Sequence, residues 1–279
     1  MRISRRHIDT FMAQGFVIIE NFITEGERTA ALEGFHQLYP PYETWLAQGK
    51  PKVAWDQKSG ANLFPWDNRG LNGLATHPDI IDAAERIIGT REIRLCDGDI
   101  SVRYAGDESV TGFHVDFGNN TLGPYVPRDH SNISFIVNLE EIKAGMAPTL
   151  IVPDGKPDNE GVEMIVPAGS VCIYSSISTR HTSTPFTAPT GYRANMWAIY
   201  CRKDRPWDGG RSFSYKGGAS NSAMARFIAE ATPRQLELLG FPPPGDALWT
   251  PDFTSRMAHR YPGFDAAQYV MRAEAAVAQ

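Results

Sequence analysis

Three times in this sequence a histidine is followed two residues later by an aspartate. His7 and Asp9 stand in "RRHIDT", His77 and Asp79 in "THPDII", and His114 and Asp116 in "GFHVDFGN". Imidazole nitrogen and carboxylate oxygen are common ligands of divalent transition metals, so each pair is a candidate half of a metal clamp. Local geometry separates the three. Side chains two apart on a strand point to the same side, whereas on a helix they diverge by roughly 200°. His7 and Asp9 lie in a helical pattern, and His77 and Asp79 open another helix with Pro78 at its start. For both pairs solvated helix polar groups are the simpler reading, with Asp79 favoured near a helix N-terminus. His114 and Asp116 follow a strand-like run and precede the glycine-bearing stretch "FGNNTLGPY". Only this pair has the geometry to converge on one ion.

A facial site for oxygen chemistry needs two histidines and one carboxylate, with open positions left on the metal. Four histidines lie outside the H-x-D pairs: His36 and His259 in helical patterns, His130 in the polar loop "PRDHSN", and His181 after the strand-like "GSVCIYSSISTR". His181, 67 residues beyond His114, is the expected third ligand. Arg193 follows twelve residues later and alternates with Asn195 and Trp197 along "YRANMWAIY". A two-keto acid that chelates such a metal leaves a far carboxylate in need of a partner, and the planar guanidinium fork matches it. Taken alone, a strand arginine is equally an ordinary surface or ion-paired residue.

The elements that must position these groups fall into three regions. Residues 1–90 are mostly helical. "RRHIDTFMAQG" carries Ile8, Phe11 and Met12 at helical spacing and stops at Gly15, and "FVIIENFI" is strand-like. Thr24 with Glu27 makes a capping box, and "HPDIIDAAERIIG" lines Ile80, Ile81, Ala84, Ile87 and Ile88 on one face before Gly89. Over residues 91–202 short apolar or alternating runs are divided by Gly, Pro, Asp and Asn, the pattern of a sandwich or barrel of short strands. Helical patterns return over residues 215–279, two of them opening with Thr-Pro. The expectation is an α+β chain of one domain, a β core flanked by N- and C-terminal helices.

Bulk composition narrows the function. A net charge of -5 argues against non-specific nucleic-acid binding. No run of about 18 apolar residues is present to span a membrane. The basic start "MRISRRHIDTF" is followed by no apolar segment of a secretion signal. Three widely spaced cysteines in apolar runs, Cys96, Cys172 and Cys201, read as reduced core residues of a cytoplasmic protein.

With these residues assembled, the chain resembles the phytanoyl-CoA dioxygenase (PhyH-like) family of iron(II)/2-oxoglutarate-dependent oxygenases. Three segments carry the resemblance: "FMAQGFVIIENFI", the H-V-D segment, and "PAGSVCIYSSISTRHTSTPFTAPTGYRANM". With "HPDIIDAAERIIG" the likeness spans roughly residues 8 to 200. It implies a double-stranded β-helix of the jelly-roll, cupin-like kind. It further implies iron(II) on His114, Asp116 and His181, 2-oxoglutarate anchored by Arg193 with help from Ser183, and O2 as co-reactant. The implied reaction oxidises, most simply hydroxylates, an unactivated C–H bond with release of succinate and CO2. The chain departs from the family where Gly-Ser-His is common, reading "VPDGK", and where Pro-Asn is common, with Pro185 and Phe186. Those loops shape the pocket, so no relative's substrate carries over.

Asp116 occupies the position a halide would need, which argues against a halogenase; desaturation, ring closure and epoxidation share the hydroxylase chemistry. For substrate contacts the candidates are Arg103, alternating with Ser101, and Asn132 and Ser134, opposite the apolar Ile133, Phe135, Val137 and Leu139. Trp66 and Asp67 in "FPWDNRG" suggest a loop at the site mouth; for each of these five a purely structural role is the alternative. Beyond Arg5 and Arg6 no basic cluster suits an acyl-CoA, so a smaller metabolite is expected, acted on by a monomer or homodimer. Two other classes stay open: a non-catalytic cupin-like binding protein, and a zinc hydrolase, which also uses two histidines and a carboxylate but gives Arg193 no task.

Overall fold

The computed structural model describes residues 2–51, 61–116, 130–203, 222–239, 241, 243–246 and 249–269. The caps expected at Gly15, Thr24, Gly89 and Thr232 form. Ser4 caps α1 (Arg5–Gln14), which ends on Gly15 in the left-handed region at φ 84°. There is a further use for His7 here: its ring accepts from the Ser4 N–H and closes a capping box. Strand β1 (Phe16–Ile19) follows, then α2 (Glu25–Leu38) behind the Thr24–Glu27 capping box. Two short helices, α3 (Tyr42–Ala47) and α4 (Arg69–Ala75), precede α5 (Pro78–Ile88). His77 caps α5, its Nδ1 accepting from the Asp79 N–H, and so is committed to the helix end.

The β region forms two antiparallel sheets. Strands β1, β6 (Val171–Ser175), β3 (Asn132–Asn138), β8 (Tyr192–Arg202) and β2 (Ile93–Tyr104) make one, in that order. Strands β5 (Val162–Glu163), β4 (Thr149–Ile151) and β7 (His181–Ser183) make the other. Alternation along the large sheet sorts its faces. Ile133, Phe135, Val137, Ala194, Met196, Ala198 and Tyr200 enter one continuous apolar core with Ile80, Ile87, Leu71 and Phe35 of the helices. The opposite face presents Ile136, Cys172 and Tyr174 to Ile151, Met164 and Val166. Helices α6 (Ser222–Glu230), α7 (Pro233–Leu238) and α8 (Pro251–Arg260) follow, with Trp249, Phe264 and Tyr269 at their own apolar centre. Among the described residues no helix is long and apolar enough to cross a membrane.

One sequence expectation fails. Cys96 and Cys201 form a disulfide, with their Cα atoms 6.3 Å apart, and only Cys172 is free and buried. Cys96 lies at a register shift between Leu95 and Asp97, next to the Arg94–Cys201 pair, and shares a face with Ile199 and Cys201. Strict alternation does not anticipate a bulge. The reading of three reduced thiols is therefore wrong, and the cytoplasmic expectation loses that support.

Candidate metal centre

His114 and His181 are brought together by an isolated antiparallel bridge, each backbone N–H donating to the other's carbonyl at 3.0 Å. His114 thus lies ten residues past the end of β2, on a one-residue bridge and not within a regular strand. His181 opens β7 and pairs with Ile151 on its other side. The two rings sit 4.4 Å apart between centroids. Asp116 completes the group: its Oδ1 is 3.3 Å from His181 Nε2 and 3.8 Å from His114 Nε2. One ligand atom from each of the three lies within 4.8 Å of the others, and among the described residues no other such cluster of three appears.

The outward atoms of this triad are already committed. His114 Nδ1 is 2.9 Å from the Gly112 carbonyl and His181 Nδ1 is 3.2 Å from that of Thr179, which places the ring protons on Nδ1 and leaves both Nε2 lone pairs for a cation. Asp116 Oδ2 accepts from Tyr174 Oη at 2.7 Å and from Ser134 Oγ at 3.1 Å, while Ser134 also meets Ser176 Oγ at 2.7 Å. Two imidazole lone pairs and one carboxylate oxygen remain, all turned inward. That donor set fits a borderline divalent metal such as iron(II). Burial alone would raise the Asp116 carboxyl; hydrogen bonds and charge from His181, the Tyr174 hydroxyl and the His114 charge outweigh it and hold the carboxyl below its usual range. Burial opposes protonation of His181, but Asp116 and the Thr179 carbonyl prevail and raise it.

Arg193 lies on the same face of the large sheet, one row of alternating positions from Asn195 and Trp197. It is 8% exposed, and its Nη1 donates to the Ala147 carbonyl. Among the described residues it has no carboxylate at ion-pair distance. Burial, and then the nearby Arg103 charge, push its guanidinium down to about 9, still cationic at neutral pH. The charge of Asp107, which pairs with Arg103, offsets this only in part, and a carboxylate brought by a ligand would offset the remaining cost of burying the cation.

The remaining candidates are placed as follows. Ser183 lies two residues along β7 from His181, with its N–H donating to Thr111 Oγ1 at 3.2 Å. Arg103, opposite Arg193 in register, donates from Nε to Asp107 Oδ2, from Nη1 to the Thr184 carbonyl, and from Nη2 to the Asp107 and Ser109 carbonyls. It thereby clamps the stretch that leads to His114. Ser134 faces Asp116, and Asn132 is buried two residues before it on the same face. Trp66 belongs to the helix-side core, donating from its indole to the Asn62 carbonyl. Asp67 pairs with Arg226 beside a cavity of about 270 Å³ lined also by Asn68, Arg69 and Glu230. Both are thus on the other side of the large sheet from the triad. Tyr174 and Ser176 escaped the sequence reading; the only signal was their alternation with Cys172 along "VCIYSS".

Comparison with solved structures accounts for this arrangement of strands. SnoN, the non-heme alpha ketoglutarate dependent epimerase from nogalamycin biosynthesis, is 20% identical with a TM-score of 0.53, over 71% of this chain and 81% of SnoN. The nickel complex of the non-heme monooxygenase ThoJ is 19% identical with a TM-score of 0.54, over 70% of this chain and 77% of ThoJ. The chain has their fold. HygX from Streptomyces hygroscopicus, with nickel and 2-oxoglutarate bound, matches at 15% identity and a TM-score of 0.53, over 71% of this chain and 86% of HygX. No family model and no curated protein matches the sequence.

Proposed function

We propose that this protein is an iron(II)- and 2-oxoglutarate-dependent oxygenase, of the phytanoyl-CoA dioxygenase type, acting on a small-molecule metabolite. The observation that carries the proposal is a His114–Asp116–His181 triad with its free donor atoms turned inward, together with a buried Arg193 that has no carboxylate at ion-pair distance among the described residues. A zinc hydrolase or a simple metal-binding barrel has a use for the triad but none for that arginine. The fold shared with SnoN, ThoJ and HygX, of the jelly-roll kind, supports the same reading.

In this reading His114 and His181 hold the metal through Nε2 and Asp116 through Oδ1. Arg193 receives the far carboxylate of 2-oxoglutarate, with Ser183 nearby on β7. The bound metal and oxo acid supply the oxidising chemistry, with succinate and CO2 as co-products and hydroxylation of a C–H bond as the simplest outcome. The chain's own task is to orient these partners and keep water out. Incubating the protein with iron(II), 2-oxoglutarate and a metabolite panel under air should release succinate for at least one panel member. Succinate formation that is independent of iron or oxygen would overturn the proposal; tight binding of both ligands without turnover on any panel would favour the cupin-like binding protein.

A further inference from the structure

The carboxylate of Asp116 has two oxygens, and the fold treats them differently. Oδ1 faces the two histidines. Oδ2 accepts from Tyr174 and Ser134, which are direct register partners on β6 and β3 and so approach the same atom from adjacent strands. Ser134 has one proton; donating it to Asp116, it accepts the hydroxyl of Ser176. Neither donor is free to swing away. Ser134 and Ser176 are fully buried, and the Tyr174 ring is packed among Phe16, Ile136, Ile151 and Met164. The same ring lies 4.8 Å from that of His181, so it braces a second ligand of the triad.

We infer that Tyr174 and Ser134 are positioning residues that restrict Asp116 to one-oxygen ligation and thereby keep one further coordination position open. The inference rests on the oxygenase reading above and deepens it. For Oδ2 to join Oδ1 on a metal it would have to give up two charge-assisted hydrogen bonds from donors that are themselves buried, Ser134 and Tyr174. An octahedral ion held by three protein atoms has three positions left, enough for a chelating oxo acid and one more ligand; two-oxygen ligation by Asp116 would leave two. Tyr174 thus governs how many positions are available without touching the metal itself, an outer-shell role of the kind that tunes metal sites.

The measurement is the water-proton relaxivity of bound manganese(II), which scales with the number of waters on the ion, compared in wild type, Tyr174→Phe and Tyr174→Phe/Ser134→Ala. The wild type should report about three waters. The double variant should lose about one-third of the relaxivity per bound ion, with the single variant between them. Tyr174→Phe removes one hydroxyl and no packing atom, so it keeps the test alive should the double variant misfold. Wild-type relaxivity in both folded variants overturns the inference and leaves the oxygenase reading standing. Wild-type protein that binds no manganese(II), or binds it with two waters, overturns the inference as well, and the former also removes the metal site on which the proposed function depends.

Discussion

Arg103 and Arg193 stand directly opposite each other on neighbouring antiparallel strands, and among the described residues only Arg103 has an acidic partner, Asp107. Under the proposed function one of these arginines serves the fold and the other receives an anion. The two arginines should therefore fail differently. Arg193→Met should raise the dissociation constant for 2-oxoglutarate roughly ten- to a hundredfold, from a loss of about 1.5–3 kcal/mol for hydrogen bonds to a charged group at about 1.4 kcal/mol per tenfold. Arg193→Lys, which keeps the charge and loses the fork, should fall between. Arg103→Met should instead lower stability by about 1–3 kcal/mol, because the carbonyls of Thr184 and Ser109 lose their donor. Anaerobic titration and denaturant melts on the three variants decide the matter, and equal cosubstrate affinities would remove Arg193 from the site.

The three H-x-D pairs offer a second comparison. His114→Ala should abolish the weak visible band of the anaerobic iron(II)–2-oxoglutarate complex. His7→Ala and His77→Ala should keep it, since those rings cap helices. Loss of the band in the His77 variant with His114→Ala unaffected would refute the assignment.

Metal removal is the third. A large core folds around an open site, unlike a small zinc module that needs its ion. The apo protein should melt cooperatively, and metal at a hundred times its dissociation constant should add about 2.7 kcal/mol. A chelator that unfolds the protein at room temperature would show otherwise.

Thiol counting tests the disulfide. In denaturant without reductant one cysteine, Cys172, should react; after reduction all three should. Replacing Cys96 and Cys201 with serine should cost about 2–4 kcal/mol, since the bond closes a long loop in the unfolded chain. Three reactive thiols before reduction would contradict the pairing.

Acid stability follows from Glu27. Its hydrogen bond to Arg2, with those from Thr24, outweighs burial and holds its carboxyl down at about 2, below the ordinary 4.5. A depressed folded-state value means that the unfolded chain binds the proton first. The contribution is present in full above about pH 4.5 and disappears as the pH falls toward 2. The pair is about one-third exposed, so solvent screening keeps the effect modest. Glu27→Gln should flatten this part of the stability–pH curve; an unchanged slope between pH 5 and 2, by urea melts at about unit intervals, would rule Glu27 out.

By itself the sequence determined whatever depends on neighbours a few residues apart. Thr24 and Thr232 announce helix starts, and Gly15 and Gly89 announce ends, because capping is a matter of one turn of backbone. The same short-range periodicity set His7 and His77 on helices, left His114 as the candidate ligand, and put Arg193 on a strand face. What the tertiary structure alone decided are the meetings of distant segments. His114 reaches His181 through a single bridge across 67 residues of chain. Cys96 reaches Cys201 because β2 and β8 pair in a register that sets Arg94 opposite Cys201. Tyr174 and Ser134 converge on one oxygen because β6 and β3 pair in that register. Arg103 finds Asp107 while Arg193 does not, although alternation treats the two alike. Register and bulges are settled by long-range pairing and core packing, and no local pattern encodes them.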